Sequence, residues 1–273
     1  MSAPTFGPIP PELLAPEPGH SGRQARFHLK SLDAYMEVSK ELSKHPYGMG
    51  SWGYTVLRIV YTPESDTMFP IAMERLRTWV KYFLYQERMP HYPPFPAGPM
   101  ANVALNDELW SRFHLDVVED KDKLDMEGPL TEASFHTLRD YFRKWVAGLG
   151  QDPDEAYIEG YGNSRFCDPI IIDAEALATL CGLPEETPPN RPPVDREEWY
   201  KFVRMRKKGW VWVLDTIALG ERQYWGGWLK AEVLVLGTLF FSRLCVEASY
   251  GLPRDKQGKP EDSEADWWLT QHA

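Results

Sequence analysis

A histidine and an aspartate two positions apart on a predicted strand are the residues of this sequence best suited to acid–base chemistry. Side chains with that spacing lie on the same face of a strand, so His114 could act as a general base while Asp116 orients its ring. Arg112 lies on the same face and could bind an anionic group through two hydrogen bonds. A central strand in a plain core does not normally place these three residue types on one face. The pattern therefore indicates a binding or catalytic role.

The preceding strand carries residues that could form the walls of a pocket beside this pair. Alternation places Trp52, Tyr54 and Arg58 on one of its faces. If the two strands are neighbours, the rings could hold a flat or aliphatic ligand and the guanidinium could hold an anionic group. The sequence thus predicts an aromatic-lined substrate pocket. A solvent-exposed polar face with a cross-strand ion pair is the alternative.

A second group alternates carboxylates with phenols and continues with polar residues. Its members are Glu155, Tyr157, Glu159, Tyr161, Asn163 and Arg165. Paired carboxylates could exchange protons or hold an amine or guanidinium substrate. Glu159 is therefore a candidate catalytic residue, and Glu155 and Tyr157 are candidate substrate contacts. A solvated loop or an edge strand is the alternative.

A third group is the one clearly basic stretch of the chain, which interleaves cations with aromatic rings between positions 199 and 210. Basic side chains suit a phosphate backbone, and aromatic rings suit unstacked bases. The predicted phosphate or tRNA contacts are Lys201, Arg204, Arg206, Lys207 and Lys208. A surface hairpin that balances acidic surroundings is the alternative.

Sequence motifs for metals and cofactors are missing. The seven histidines show no H-x-x-x-H or H-E-x-x-H spacing, and the three cysteines form no C-x-x-C pair. No phosphate-binding P-loop and no G-x-S-x-G nucleophile motif occurs. We therefore expect neither a metal centre nor a bound cofactor.

Alternating strand and helix patterns must position these groups. Strands are predicted over 52–61, 109–118, 166–172, 199–205, 210–214 and 228–233. Helices are predicted over 26–44, 67–86, 131–149, 173–181 and 234–248. Pro70 fits best in the first turn of a helix, so Thr67 is the predicted N-cap of the second helix. Repeated strand–helix units predict an α+β, or α/β, fold with one main sheet and helices packed on it.

Three stretches of the sequence follow a recognisable pattern. Trp52 to Arg58 reads W-G-Y-T-V-L-R, positions 115–120 read L-D-V-V-E-D, and Asp168 to Leu177 carries D-P followed by D-x-E-x-L. Together they resemble a family of uncharacterised proteins of filamentous fungi whose first strand carries W-G-[FY]-x-[IVL]-x-R. The resemblance extends over residues 50–245 and implies a fungal source and an intracellular protein. It implies no activity and brings no catalytic residues.

Composition limits the class of protein. The 273 residues are 43% hydrophobic and 26% charged, which is typical of a globular protein. The net charge of −10 disfavours a protein that coats nucleic acid nonspecifically. No segment resembles a secretory signal or a bilayer-spanning helix, and widely separated cysteines suit a reducing compartment. We therefore expect a cytoplasmic protein without membrane contact.

The predicted organisation is a single α+β domain over residues 23–250, which could divide into halves at 50–182 and 194–250. A Pro-rich extended arm over 1–22 precedes it, and a polar tail over 251–273 follows it. The leading hypothesis is a small-molecule enzyme of fungal specialised metabolism that acts on an anionic or amino-acid-derived substrate. One alternative is a tRNA-dependent synthase of arginine-containing cyclodipeptides, whose partner would be an aminoacyl-tRNA. The other alternative is a noncatalytic protein-interaction module.

Overall fold

Helices packed on one mixed β-sheet form the architecture of this chain. The computed structural model describes residues 3–15, 23–42, 47–85, 103–126, 128–151, 163–187, 197, 201, 209–216, 227–244 and 268–269. Within these ranges the elements build one sheet with helices against it, which confirms the predicted α+β class.

The sheet of the described residues has five strands and is extended at one edge by a strand of two residues. The strands are β1 (Trp52–Arg58), β2 (Phe113–Val118), β3 (Ile170–Ile172), β4 (Trp210–Leu214), β5 (Trp228–Glu232) and β6 (Trp268–Leu269). Their order is β2-β1-β3-β4-β5-β6. β1 is parallel to β2 and β3, β4 is antiparallel to β3 and β5, and β6 is parallel to β5. β1 is therefore the central strand of the parallel part, and all its residues are buried.

Helices connect the strands. They are α1 (Pro11–Leu14), α2 (Arg23–Leu42), α3 (Pro63–Tyr85), α4 (Val103–Ser111), α5 (Lys121–Leu124), α6 (Glu132–Gly148), α7 (Ser164–Cys167), α8 (Ala174–Cys181) and α9 (Leu236–Arg243), with a 3₁₀ turn at Val233–Val235. Two begin at their predicted caps: Thr131 accepts from the Ser134 backbone, and Asp173 accepts from the Ala176 backbone. None of the helices described is both long enough and apolar enough to cross a membrane.

A hydrophobic core lies on each face of the sheet. On one face, Trp52, Tyr54 and Val56 of β1 pack with residues of α2, α3 and α9. On the other face, Leu57 of β1 packs in a smaller core with residues of α6 such as Phe142. We call these the α3 face and the α6 face. Successive side chains of a strand point to opposite faces, so each residue of β1 and β2 belongs to one or the other.

The helix after β1 begins earlier than the sequence predicts. α3 starts at Pro63, and its cap is Thr62, not Thr67. The Ser65 backbone donates to Thr62 Oγ1 at 3.1 Å, and the Thr62 backbone donates to Ser65 Oγ at 2.8 Å. Pro70 lies inside the helix, where it cannot donate a backbone hydrogen bond. The predicted start at Thr67 is wrong because a reciprocal cap and a long buried face outweigh the cost of one internal proline.

Two predicted strands begin with helical residues instead. Residues 109–111 belong to α4, and residues 166–167 belong to α7. Leu105 and Leu109 are both fully buried, and this spacing of four residues places them on one side of a helix. The alternating pattern that predicted a strand from residue 109 thus also fits the buried side of a helix, and residues 109–111 are helical. Lys201, within a third predicted strand, is also helical.

The N-terminal segment over residues 3–15 lies against the domain. Ile9 is 2% exposed, and the Phe6 backbone donates to the carbonyl of Met49 at 2.8 Å. These contacts hold the segment next to the turn that precedes β1.

Candidate functional site

The register of β1 and β2 separates the two halves of the predicted pocket. Thr55 of β1 pairs directly with Asp116 of β2, and directly paired residues share a face. His114 and Asp116 therefore lie on the α6 face. The residues on the opposite, α3 face are Trp52, Tyr54 and Arg58. The prediction of one composite pocket is wrong, because a register one residue different would be needed to bring the two groups together.

Trp52 and Tyr54 are core residues. They are 0% and 1% exposed. Trp52 Nε1 donates to the carbonyl of Leu109 at 2.6 Å, and the Tyr54 hydroxyl donates to the carbonyl of Leu236 at 2.8 Å. The Trp52 ring also packs against Phe113, with ring centroids 4.7 Å apart. Both side chains are enclosed and their polar atoms are paired, so they stabilise the α3-face core, and their predicted role as substrate contacts stays a prediction.

Arg58 is held by partners from its own domain. Its hydrogen-bond acceptors are the carbonyl of Val60, the hydroxyl of Ser65, and the carboxylates of Asp66 and Glu119. The rings of Tyr61 and Phe69 each have their centroid 4.8 Å from the guanidinium carbon. Burial acts to lower the pKa of Arg58, but the hydrogen bonds to Glu119 and Asp66 raise it above its usual value. All three guanidinium nitrogens have acceptors within the chain, and the predicted role of Arg58 as a substrate contact stays a prediction.

Arg112 precedes β2 and fastens the N-terminal segment to the domain. Its Nη1 donates to the carbonyl of Gly7 at 2.9 Å and to that of Gly50 at 3.2 Å. Its Nε donates to Glu108 Oε1 at 2.7 Å. All three guanidinium nitrogens of Arg112 have acceptors within the chain, and its predicted anion-binding role stays a prediction.

A polar cluster on the α6 face contains the remaining predicted pair. Asp116 lies at its centre and is buried. Its Oδ1 accepts from the Tyr47 hydroxyl at 3.0 Å and lies 3.3 Å from His114 Nε2. Its Oδ2 accepts from Arg165 Nη1 at 3.1 Å. We call His114, Asp116, Tyr47 and Arg165 the Asp116 cluster.

In the Asp116 cluster, the imidazole of His114 is accessible to solvent, whereas Asp116 and Arg165 are buried. A quarter of the His114 side chain, 25%, is exposed, whereas Arg165 is 0% exposed. Burial lowers the pKa of Arg165, and the charge of Asp116 opposes this effect. Burial, followed by the charge of Asp116, raises the pKa of Tyr47, so its hydroxyl stays a donor. The result is an accessible imidazole beside a carboxylate that two other groups hold in place.

Local structure around α7 positions Arg165. Thr55 Oγ1 donates to the Arg165 carbonyl at 2.9 Å, and the Arg165 backbone donates to Asn163 Oδ1 at 3.1 Å. Asn163 Nδ2 donates in turn to the Tyr35 hydroxyl at 2.6 Å. Gly48 has a φ of +64°, and a Cβ built there would lie 2.7 Å from Arg165 Nη1. Only glycine lets the turn approach the guanidinium so closely.

The sequence pattern pairs His114 with Asp116 but does not reveal the other two members. Tyr47 and Arg165 are 69 and 49 residues away from Asp116 in the chain, whereas alternation reports only neighbours within one strand. One local signal was available, because Arg165 is a charged residue directly before the apolar Phe166 and Cys167. A charge in such a place is usually paired.

The other predicted site residues fall almost entirely outside the described residues. These are Glu155, Tyr157, Glu159, Arg204, Arg206, Lys207 and Lys208. Lys201 is described and exposed, and its Nζ lies 3.1 Å from Glu197 Oε1, one helical turn away. The proposed contacts of this stretch with tRNA or phosphate stay predictions.

Neither a metal centre nor a relative identifies the chemistry of the site. In the part of the chain that the structure describes, no three His, Cys, Asp or Glu side chains are grouped to hold a metal ion. No protein-family model matches the chain, and no curated protein or solved structure matches it. The resemblance to fungal proteins therefore stays a prediction, and function is argued from the Asp116 cluster.

Proposed function

We propose that this chain is an enzyme that acts on a small molecule at the Asp116 cluster, with His114 as the general base. The observation that carries the proposal is the 3.3 Å contact between Nε2 of the partly exposed His114 and the buried carboxylate of Asp116. A carboxylate on one ring nitrogen fixes the orientation of an imidazole and stabilises the imidazolium that forms when the other nitrogen takes a proton. Hydrogen bonds from Tyr47 and Arg165 hold this carboxylate still, which a simple surface ion pair does not require.

Each member of the cluster has one task in this mechanism. His114 takes a proton from the substrate at Nδ1, which makes no hydrogen bond or ion pair with any described residue. Asp116 lies 3.3 Å from Nε2 and balances the charge of the ring once it is protonated. Tyr47 and Arg165 are positioning residues, because they act on the imidazole through Asp116.

The substrate class and the compartment belong to the same proposal. The positive charge of Arg165 favours an anionic or amino-acid-derived substrate. Neither of the described cysteines, Cys167 and Cys181, is in a disulfide, and this supports a cytoplasmic enzyme. A place in fungal specialised metabolism rests on the sequence resemblance.

The test compares wild type with His114→Ala and His136→Ala. Each purified protein is incubated with a small-molecule extract of a filamentous fungus, and compounds that are consumed are followed by liquid chromatography and mass spectrometry. We expect wild type to convert at least one compound and His114→Ala to be slower by about 10²–10⁴-fold, with little change in melting temperature. His136 is the matched control, because its exposed imidazole lies on α6, 3.7 Å from Glu132. His136→Ala should keep the wild-type rate.

The conversion assay, together with three further observations, separates the proposed enzyme from the alternatives. No conversion by wild type, or equal rates for wild type and His114→Ala, would contradict the proposal. An arginine-containing diketopiperazine in the medium of an expressing host, together with copurifying RNA, would favour the cyclodipeptide synthase. A stoichiometric protein partner without any conversion would favour the interaction module.

A further inference from the structure

We propose that Arg165 is a buried binding site for the carboxylate of a small organic acid, which it takes through the guanidinium edge formed by Nε and Nη2. The inference rests on the proposed function, because it names the chemical class of that enzyme's substrate. Arg165 is 0% exposed, and neither Nε nor Nη2 has a hydrogen-bond partner among the described residues. Two donors of one charged group are therefore enclosed without an acceptor.

These two nitrogens lie on the guanidinium edge that can bind a carboxylate through two hydrogen bonds. The hydrogen on Nε points in the same direction as one hydrogen on Nη2, so the edge presents two parallel donors. Nη1, away from this edge, already donates to Asp116 at 3.1 Å. The edge that remains matches the two oxygens of a carboxylate.

An unpaired edge in a buried place raises the free energy of the folded protein. Buried polar groups are almost always hydrogen-bonded, and an unsatisfied donor of a charged group is especially costly. Arg58, the comparable arginine on the α3 face, uses all three of its nitrogens. A ligand that pairs with the edge of Arg165 removes this cost, so its binding should stabilise the folded protein.

Charge balance favours a monocarboxylate over a phosphate. Asp116 already neutralises Arg165. Asp168 adds a second buried carboxylate in the same turn and accepts from Ser164 Oγ at 2.8 Å. A phosphate dianion would bring two further negative charges next to these two buried carboxylates, whereas a carboxylate brings only one.

The shared contact with Asp116 links this binding site to the proposed base. Arg165 contacts Oδ2 and His114 contacts Oδ1 of the same carboxylate. An acid bound by Arg165 would therefore share the Asp116 carboxylate with the proposed base, and two hydrogen bonds would fix its orientation. Arg165 would then both position Asp116 and bind the substrate.

The test measures the thermal unfolding of the protein in sodium acetate and in sodium benzoate, and the binding of each acid by calorimetry. Sodium chloride at equal ionic strength is the control. We expect at least one acid to raise the melting temperature by about 3 °C at ten times its dissociation constant, and chloride to have no effect. Arg165→Lys keeps the charge beside Asp116 but loses the two-donor edge, so its affinity for the acid should fall by about tenfold or more. Arg58→Lys is the matched control and should keep the wild-type affinity.

A second measurement on wild type applies if Arg165→Lys does not fold. In protein labelled with ¹⁵N-arginine, one Nε–H resonance should shift when the acid is added and stay unchanged with chloride. The proposal is overturned if neither acid changes the melting temperature or that resonance. It is also overturned if inorganic phosphate or chloride acts as strongly, or if Arg58→Lys loses affinity as Arg165→Lys does.

A carboxylate of the chain itself is the other source of the same chemistry. Glu155 and Glu159 lie outside the described residues. If one of them occupies the edge, Glu155→Gln or Glu159→Gln should lower the melting temperature of the ligand-free protein and shift an arginine Nε–H resonance, and this result overturns the proposal.

His114→Ala separates this inference from the proposed function. Acid binding that persists in His114→Ala while conversion is lost supports both. Acid binding by a wild type that converts nothing refutes the enzyme and keeps the binding site. Conversion that is insensitive to Arg165→Lys refutes the binding site alone.

Discussion

Arg58 and Arg165 are both buried arginines, one on each face of the sheet, but their partners differ in kind. Arg58 donates from all three guanidinium nitrogens, and its carboxylate partners are mostly in solvent, with side chains 63% exposed for Asp66 and 52% for Glu119. Arg165 has one carboxylate partner, Asp116, whose side chain is only 4% exposed. Two nitrogens of Arg165 lack an acceptor among the described residues.

The two arginines therefore differ in hydrogen-bond satisfaction and not in burial, since Arg58 is 6% and Arg165 0% exposed. Arg58 ends β1, and Glu119 directly follows β2. The carboxyl ends of parallel strands are the usual place for a ligand in an open α/β sheet. In this protein, the ion pairs of Arg58 with Asp66 and Glu119 occupy the carboxyl ends of β1 and β2. His114 and Asp116 lie elsewhere, in β2 on the α6 face.

The largest effect is expected from Asp116→Asn, which leaves the enclosed charge of Arg165 without its counterion. Removing one partner of a buried ion pair costs about 3–5 kcal/mol, because the remaining charge is desolvated and uncompensated. We expect a loss of that size in the free energy of unfolding, measured by urea denaturation. Conversion by the proposed enzyme should be lost as well.

A double variant shows whether this loss comes from the ion pair. Arg165→Met combined with Asp116→Asn removes both charges, so it should be more stable than Asp116→Asn alone. If Asp116→Asn lowers the free energy of unfolding by less than about 1 kcal/mol, the ion pair between Arg165 and Asp116 contributes little, and Asp116 does not hold the Asp116 cluster together as we infer.

The elements of the fold were more predictable from the sequence than the site. The caps at Thr131 and Asp173 and the strand over 210–214 follow from local patterns, because capping and alternation act between residues close in the chain. The pairing of β1 with β2 joins distant segments, and its register decides which side chains share a face. The sequence therefore placed His114 beside Asp116 correctly but put Arg58 in the same pocket.

Arg58→Met tests the other side of the comparison, and a smaller loss is expected. The variant removes hydrogen bonds to Val60 and Ser65, but Asp66 and Glu119 can turn to solvent without becoming buried charges. We expect a loss of about 2 kcal/mol in the free energy of unfolding, measured by urea denaturation, with the rate of conversion unchanged. A loss as large as that of Asp116→Asn, or a loss of conversion, would remove the distinction between the two regions.

The smallest effect is expected next to the Arg58 region, at the hydrogen bond from the Tyr141 hydroxyl to Asp120 Oδ2, which is 3.1 Å long. Burial, followed by this hydrogen bond, raises the pKa of Tyr141 from 10.0 to about 12. The folded protein then keeps a proton that the unfolded chain loses, so the contribution of Tyr141 is complete below pH 10 and disappears as the pH rises towards 12. Tyr141→Phe should cost about 0.5 kcal/mol at neutral pH.

The pH dependence of that difference is the decisive measurement. Urea denaturation of wild type and Tyr141→Phe at neutral pH and at several values between 10 and 12 should give a stability difference that shrinks and then changes sign as the pH rises. Tyrosines that do not interact with Tyr141, such as Tyr35, whose pKa is also raised by burial, are present in both proteins and cancel in the comparison. A difference that stays constant across this range would show that the hydroxyl of Tyr141 titrates alike in the folded and unfolded states. The hydrogen bond to Asp120 would then contribute nothing to the network around Arg58.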